Sequence, residues 1–542
     1  MRRSVIGVVA AVAVLAAGAV VYVVGFRGGG DGKSTAARNY LAAWQRGDYT
    51  AMRALVTDPA AFTVPKTETD LGVAGRRLTL LRTGPSTAAF DASLDLGEGR
   101  TWDYTGSLDL AKSDGTWKVA FSAASYYPDL KPGQRLRTSR TWPDRADVLA
   151  ADGTSLGASP SGSVQQLVGP VAPATAAQAK ALGAPYRTGD KIGADGFEKQ
   201  YETRLAGRPG LAVQLLDDQN HLVKVIKSFG TKPGIALHTT IDPKVQAAAG
   251  KALTSVAKPV SLVALKPSTG EILAVANKPG GYNRALLGQY PPGSTFKVIT
   301  ASALVAGGLS AGSTVPCPAT TTINGRTFHN SENEKFGNTS LELAFAHSCN
   351  TTFAKLAVDK LGKQRLAGLA QQFGFGVPLI TGLPAARASF PTPADDTTLA
   401  ADAFGQGQVL TSPLNMASVA GAIAAGTWNP PRFVPAATAA QAADASGKRV
   451  AASRKLEPGV VRALRTLMPA VVSEGTAKGV AFPPGTAGKT GTAEFGSGPN
   501  PPTHAWFIGY KGDLAFAVIV EGGGFGADVA APIAATFLKG IG

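Results

Sequence analysis

Tyr290-Pro291-Pro292-Gly293-Ser294-Thr295-Phe296-Lys297 sets a hydroxyl and an amine three residues apart at the mouth of a helix. Pro291, Pro292 and Gly293 block helix ahead of Ser294, and Thr295 to Val305 continues as an apolar helical run. Positions i and i+3 share one helix face, so Ser294 and Lys297 point the same way. A serine at a helix start meets unpaired N–H groups and the positive end of the helix dipole, both suited to an oxyanion. Apolar Phe296, Val298 and Ile299 desolvate Lys297, which favours a neutral amine able to act as base.

Ser-x-x-Lys is a loose pattern, and Ser255-Val-Ala-Lys258 repeats it. That copy lacks the helix break in front and is followed at once by Pro259 and the strand entry at Val260 and Leu262, so it reads as structural. Two further motifs distinguish Ser294. Ser348-Cys349-Asn350 lies between the apolar helical runs Leu341–Ala346 and Phe353–Leu361, a rigid mount. Its look-alike, Ser331-Glu332-Asn333, sits in a polar loop with no such mount. Lys489-Thr490-Gly491-Thr492 opens a strand, where Lys489 offers positive charge, the hydroxyls suit a carboxylate, and Gly491 admits a substrate backbone.

Outward from these motifs, Leu262–Leu265 and Glu271–Ala276 flank Lys266-Pro-Ser-Thr-Gly270, a strand–turn–strand signal. Helical runs follow at Val298–Val305, Leu341–Ala346, Phe353–Leu361, Pro413–Ala425 and Val460–Val472. Strands at Lys489–Phe495, Trp506–Tyr510 and Leu514–Glu521 and a helix near Ala531–Leu538 close the chain. Strands at both ends with helices between predict one antiparallel sheet, assembled from distant segments and covered by helices.

Together, Ser-x-x-Lys, Ser-x-Asn and Lys-Thr-Gly in this order resemble the active-site triplet of penicillin-binding proteins and serine β-lactamases. Tyr290–Lys297, Gly405-Gln406-Gly407 followed by Thr411-Ser-Pro413, Gly475-Thr476-Ala477, Lys489–Glu494 and Ala505-Trp-Phe507 resemble the transpeptidases in particular. Arg145–Gly153 and Gly193–Leu205 look like the pedestal domain of class B penicillin-binding proteins. Ala37–Val56 and Trp117–Leu130 are similar to the N-terminal domain of methicillin-resistance-type penicillin-binding proteins, a nuclear-transport-factor-like cone fold.

The resemblance implies a multidomain α+β protein: residues 1–33 anchor and spacer, 34–135 cone-like domain, 136–233 loop-rich pedestal, and 234–542 transpeptidase domain. It implies a peptidoglycan D,D-transpeptidase with Ser294 as nucleophile, Lys297 its activator, Ser348 a proton relay and Asn350 an orienter of the substrate amide. Lys489, Thr490 and Thr492 would hold the terminal carboxylate beside Gly491, with backbone N–H groups of Ser294 and Thr492 as oxyanion hole. β-Lactams, as mimics of a D-Ala-D-Ala end, would be trapped on Ser294. No cofactor and no metal are implied. Partners would be stem peptides, the cytoplasmic membrane and other wall-synthesis proteins such as a glycosyltransferase.

The residues upstream fit that division. Tyr40, Leu41 and Trp44 give helical spacing, Met52 and Leu55 begin a second short helix, and alternating stretches at Leu78–Leu81, Ala88–Leu96, Trp102–Leu110 and Trp117–Ser122 read as strands. Between Leu136 and Gly234 the chain is turn-rich, with a short helix expected at Pro173–Leu182 and paired strands within Leu211–Phe229. Ahead of everything, Arg2-Arg3 precede an uncharged apolar run from Ser4 to Phe26. About 22 helical residues rise roughly 33 Å, enough to cross a bilayer core. The two arginines predict a cytoplasmic N-terminus, a single-pass membrane location and an extracytoplasmic catalytic domain; a cleaved signal peptide is the rival reading.

A formal charge of +16 across 542 residues suits anionic surroundings. No basic block, zinc-finger or RNA-recognition signature points to nucleic acid. Cys317 and Cys349 form no Cys-x-x-Cys pair, which leaves one disulfide or two buried thiols as alternatives.

Overall fold

Residues 31–63, 70–445, 447–498 and 500–542 are described by the computed structural model. The apolar run Ser4–Phe26 lies outside them, and among the described residues no helix is long and apolar enough to cross a membrane. By its contacts the chain forms two compact units. One holds the described residues up to Arg140 together with Leu211–Phe229, and the other holds those of Thr141–Gly210 and Gly230–Gly542.

In the first unit, α1 (Gly32–Arg46) is capped by Asp31 and ended by Gly47 in the left-handed region at φ 70°. It buries Tyr40, Leu41 and Trp44, and α2 (Tyr49–Ala54) adds Met52. Four strands follow as an antiparallel meander: β1 (Gly75–Thr83), β2 (Thr87–Asp95), β3 (Thr101–Ser113) and β4 (Thr116–Val119). The alternating burial of β2, with Ala88, Phe90, Ala92 and Leu94 inward, is the period-2 signature of a sheet with one face covered. Strands β5 (Arg135–Thr141), β6 (Gly210–Leu216) and β7 (Leu222–Phe229) make a second sheet. Val213 and Leu215 join the same core as Trp44 and Phe90, which is why the β6–β7 hairpin groups with this unit despite its distance in sequence.

The second unit opens with short segments. The helix expected at Pro173–Leu182 is divided: Val171–Pro173 is a strand, and the helix runs Ala176–Leu182 behind a Thr175–Gln178 capping box. Arg145 bridges Glu198 and Glu202 nearby, in partly buried ion pairs at Glu202 2.9 Å.

The larger part is built on one fully antiparallel five-stranded sheet. Its strands are β8 (Val260–Lys266), β9 (Glu271–Lys278), β10 (Ala487–Glu494), β11 (Thr503–Lys511) and β12 (Leu514–Val520), in the order β9-β8-β12-β11-β10. Central β8 and β12 are buried on both faces, so they read as near-continuous apolar runs, broken within β8 only by buried Ser261, rather than as alternating ones. Helix Pro413–Ala425, begun by Ser412-Pro413 and closed by left-handed Gly426, covers one face; Pro243–Ala252 and Ala530–Ile541 pack with the sheet as well. Distant segments do assemble into one helix-covered sheet, and β10 ends up at its edge.

A further local expectation changes at the nucleophile turn. Gly293–Phe296 is a tight 3₁₀ turn, and the α-helix proper starts at Lys297, running to Ala306. Gly293 sits at φ 53°, a conformation reserved largely for glycine, and this swings the chain into the narrower turn.

Candidate active site

Ser294 leaves the 3₁₀ turn facing a cleft of about 610 Å³, and Ser348, Asn350, Thr490, Gly491 and Thr492 also line it. Lys297 lies beneath, with no exposed surface. Its Nζ is 3.0 Å from Ser294 Oγ, 3.1 Å from Ser348 Oγ, 2.6 Å from the Ser348 carbonyl and 2.6 Å from Asn350 Oδ1. One amine thus joins the first two motifs. Burial, and secondarily the charge of Lys489, hold the Lys297 ammonium well below the usual lysine range. The rings of Phe353 and Phe404 wall it in at 5.7 and 5.9 Å.

The turn that carries Ser348 links the helices Leu341–Ala346 and Asn350–Leu356. Ser348 itself is left-handed at φ 60°, a strained backbone for a residue with a side chain. Three attachments hold it. Cys349 is disulfide-bonded to Cys317 on the strand Thr314–Cys317, which decides the alternative left by the sequence. Asn350 Nδ2 donates to the His329 carbonyl at 3.1 Å, and Thr351 N–H donates to buried Asn330 Oδ1 at 3.0 Å.

On edge strand β10, Thr490, Thr492 and Glu494 alternate onto the cleft face, as i, i+2 and i+4 must. Thr490 Oγ1 shares a 2.6 Å hydrogen bond with Thr476 Oγ1. Lys489 is fully buried, with Nζ donating to the Thr490 carbonyl at 3.2 Å and the Phe345 ring 5.6 Å away. Desolvation brings its pKa down to about 7. Gly491 is a point of close approach between strand and nucleophile turn: a Cβ there would stand 2.8 Å from Thr295 Cγ2 and 3.1 Å from the Pro292 carbonyl. Trp506, opposite Gly491 on β11, donates its indole N–H to the Pro291 carbonyl at 3.1 Å.

Six of the eight residues singled out from sequence therefore line one cleft, and Lys297 and Lys489 are buried beside them. Of the two look-alikes, one stands apart from the cleft and the other reaches only its rim. Ser255 and Lys258 are exposed beyond the end of helix Pro243–Ala252. Ser331 and Glu332 stand on the cleft rim, on an exposed turn. Thr476, Gln406, Phe404, His347 and Phe525 also line the cleft without having been picked out as site residues. Gln406 and Thr476 had their signal in the Gly405-Gln406-Gly407 and Gly475-Thr476-Ala477 stretches, whose first glycines each pack the Cα against backbone: Gly293 and Ala346 oxygens would meet a Cβ at 2.2 and 2.3 Å.

Residues 260–539, just over half of the chain, match the penicillin binding protein transpeptidase domain; 159–239 match the penicillin-binding protein dimerisation domain, and 82–134 the NTF2-like N-terminal transpeptidase domain. The chain is 34% identical to the peptidoglycan D,D-transpeptidase PbpA of Mycolicibacterium smegmatis over 54% of this chain and 70% of that one. It is 31% identical to PbpA of Mycobacterium tuberculosis over the same shares. Among solved structures, the ceftriaxone acyl-enzyme complex of penicillin-binding protein A from M. tuberculosis superposes with a TM-score of 0.51 at 29% identity, covering 57% of this chain and 80% of that one. The chain belongs to the penicillin-binding protein transpeptidase family.

Proposed function

We propose that this protein is a peptidoglycan D,D-transpeptidase that works through an acyl-enzyme on Ser294. The observation that carries the reading is one buried amine, Lys297 Nζ, within hydrogen-bond reach of Ser294, Ser348 and Asn350 at once. A neutral Lys297 takes the proton as Ser294 Oγ attacks the penultimate D-Ala carbonyl of a stem peptide. The C–N bond then breaks, and Ser348 passes the proton to the departing D-Ala amine. A second amine attacks the ester, forms the cross-link and returns the proton to the Ser294 oxygen. Thr490 and Thr492, with the charge of Lys489 behind them, hold the terminal carboxylate, and Asn350 orients the peptide amide. The N–H groups of Ser294 and Thr492 face the oxyanion; the support is Gly293, whose Cβ would lie only 2.5 Å from the Thr492 carbonyl.

Transfer rather than hydrolysis has support in the cleft wall. Glu332, Glu334, Glu494 and Asp528 line it, and among the described residues none of them is paired with a Lys or Arg. An acidic wall in a chain of charge +16 attracts a cationic acceptor amine. The domain division 1–33, 34–135, 136–233 and 234–542, an anchor at Ser4–Phe26 in the cytoplasmic membrane and a glycan-polymerising partner belong to the same proposal, on the family likeness and the apolar run.

The test gives the purified full chain a D-Ala-D-Ala stem peptide with and without an amine acceptor. D-Ala release coupled to a joined peptide is expected. Release with only hydrolysed product, acceptor present, would reduce the protein to a carboxypeptidase; no release and no penicillin labelling would refute the reading.

A further inference from the structure

We propose that Asp402 is a positioning residue for acylation: its buried carboxylate anchors the Gly405-Gln406-Gly407 loop, and that loop braces the backbone at Gly293–Ser294 and at Thr492. The inference rests on Ser294 being the nucleophile.

Asp402 ends the helix Asp396–Asp402 and has no exposed surface. Among the described residues it has no cationic partner. Burial alone pushes its pKa up to about 6, against the opposing hydrogen bond from Gln408. An unpaired buried carboxylate is costly, and the C-terminus of a helix is the wrong end for a negative charge. Helix stability therefore does not account for it. What it holds is the loop beyond. Oδ1 accepts the Gln408 N–H at 2.6 Å, while Oδ2 has no partner among the described residues. Gly407 wraps so closely that a Cβ would stand 2.1 Å from Oδ1.

The held loop reaches the reacting groups in a few bonds. Gly405, at φ 77°, donates its N–H to the Asp402 carbonyl at 2.9 Å and accepts the Gly293 N–H at 2.9 Å. Gln406 Nε2 is 3.5 Å from the Thr492 carbonyl, at the limit of a hydrogen bond. Thr300, on the helix that begins with Lys297, donates to the Ala403 carbonyl at 2.6 Å. Asp402 is thus one residue from a tie to the lysine helix and three from a tie to the nucleophile turn.

The experiment follows acylation of the full chain by a fluorescent penicillin in stopped flow, separating non-covalent affinity from the acylation rate constant. Asp402→Ala is expected to slow acylation about tenfold or more, a rise of about 1.4 kcal/mol or more in the barrier, with affinity changed less than about threefold. Asp402→Asn keeps an oxygen for Gln408 and is expected to stay within about threefold of the parent rate. Gly407→Ala, which leaves the carboxylate but forces the loop off it, is expected to reproduce the alanine effect. Parent-like acylation in Asp402→Ala or Gly407→Ala overturns the proposal, as does a loss confined to affinity or an Asn variant as slow as Ala. If Asp402→Ala does not fold, the Gly407→Ala and Asp402→Asn pair decides. Labelling that survived Ser294→Ala would instead sink the nucleophile assignment itself.

Discussion

The Nζ of Lys297 stands 3.0 Å from the Oγ of Ser294 inside a core that leaves the lysine no exposed surface. Proximity sets up the proton transfer, and desolvation supplies a neutral amine to accept it. Lys297→Met, which fills similar space without the base, is expected to cut penicillin acylation by about 10²–10⁴-fold. Ser294→Ala should abolish labelling and Ser255→Ala should leave it intact. Gel fluorescence with a labelled penicillin reads all three.

Lys489 couples stability to pH. In the folded chain it titrates near about 7, whereas an unfolded lysine titrates near about 10.4. Between those values the unfolded state binds the extra proton, so stability rises with pH, by up to about 1.4 kcal/mol per unit. Asp402 works in the opposite sense lower down: its folded pKa of about 6 lies above the ordinary 3.8, so stability falls as pH climbs through that interval. Equilibrium unfolding in urea from pH 4 to 10 should show both limbs, and Lys489→Met should make the upper one shallower without removing it, because buried Lys297 is also held well below the usual lysine range. The same variant should weaken binding of a carboxylate-bearing β-lactam.

Gly491 is the glycine whose methyl group would press on both sides of the catalytic contact. Its Cβ would meet Thr295 Cγ2 at 2.8 Å and Trp506 Cβ at 3.0 Å. Gly491→Ala should push the strand from the nucleophile turn and lower the acylation rate about 100-fold, the scale of a displacement near 1 Å. Thermal unfolding should change far less than activity.

The Cys317–Cys349 bond closes a loop of sequence separation 32 directly beside Ser348 and Asn350. A loop of that length is worth about 3–4 kcal/mol in the chain-entropy account. Cys317→Ser with Cys349→Ser should lose stability on that order and slow acylation, because the left-handed Ser348 turn loses its covalent tie. Urea unfolding and stopped-flow acylation check the two effects separately.

Much of the fold was legible because strong local signals coincide with tertiary need. Leu341–Ala346 and Pro413–Ala425 match the observed helices at both ends, the second through its Ser412-Pro413 start and Gly426 stop. Phe353–Leu361 was less regular than its pattern: the α-helix spans Asn350–Leu356 and a wider π turn takes Ala357–Leu361 before left-handed Gly362. Asp402 drew no notice in sequence, since an aspartate near a helix end is ordinary until its burial is known.

By itself, the sequence determined which residues carry chemistry. Three short motifs combine a helix break, a rigid mount and a strand opening, and each is a local property of neighbouring side chains. Only the tertiary structure decided that Lys297 serves Ser294, Ser348 and Asn350 at once, that Cys317 locks the Ser348 turn, and that Gly405 and Gly491 set the spacing around the nucleophile. The reason is physical: burial, orphaned oxygens and backbone approaches within 3 Å arise between segments far apart in the chain, where no local pattern records them.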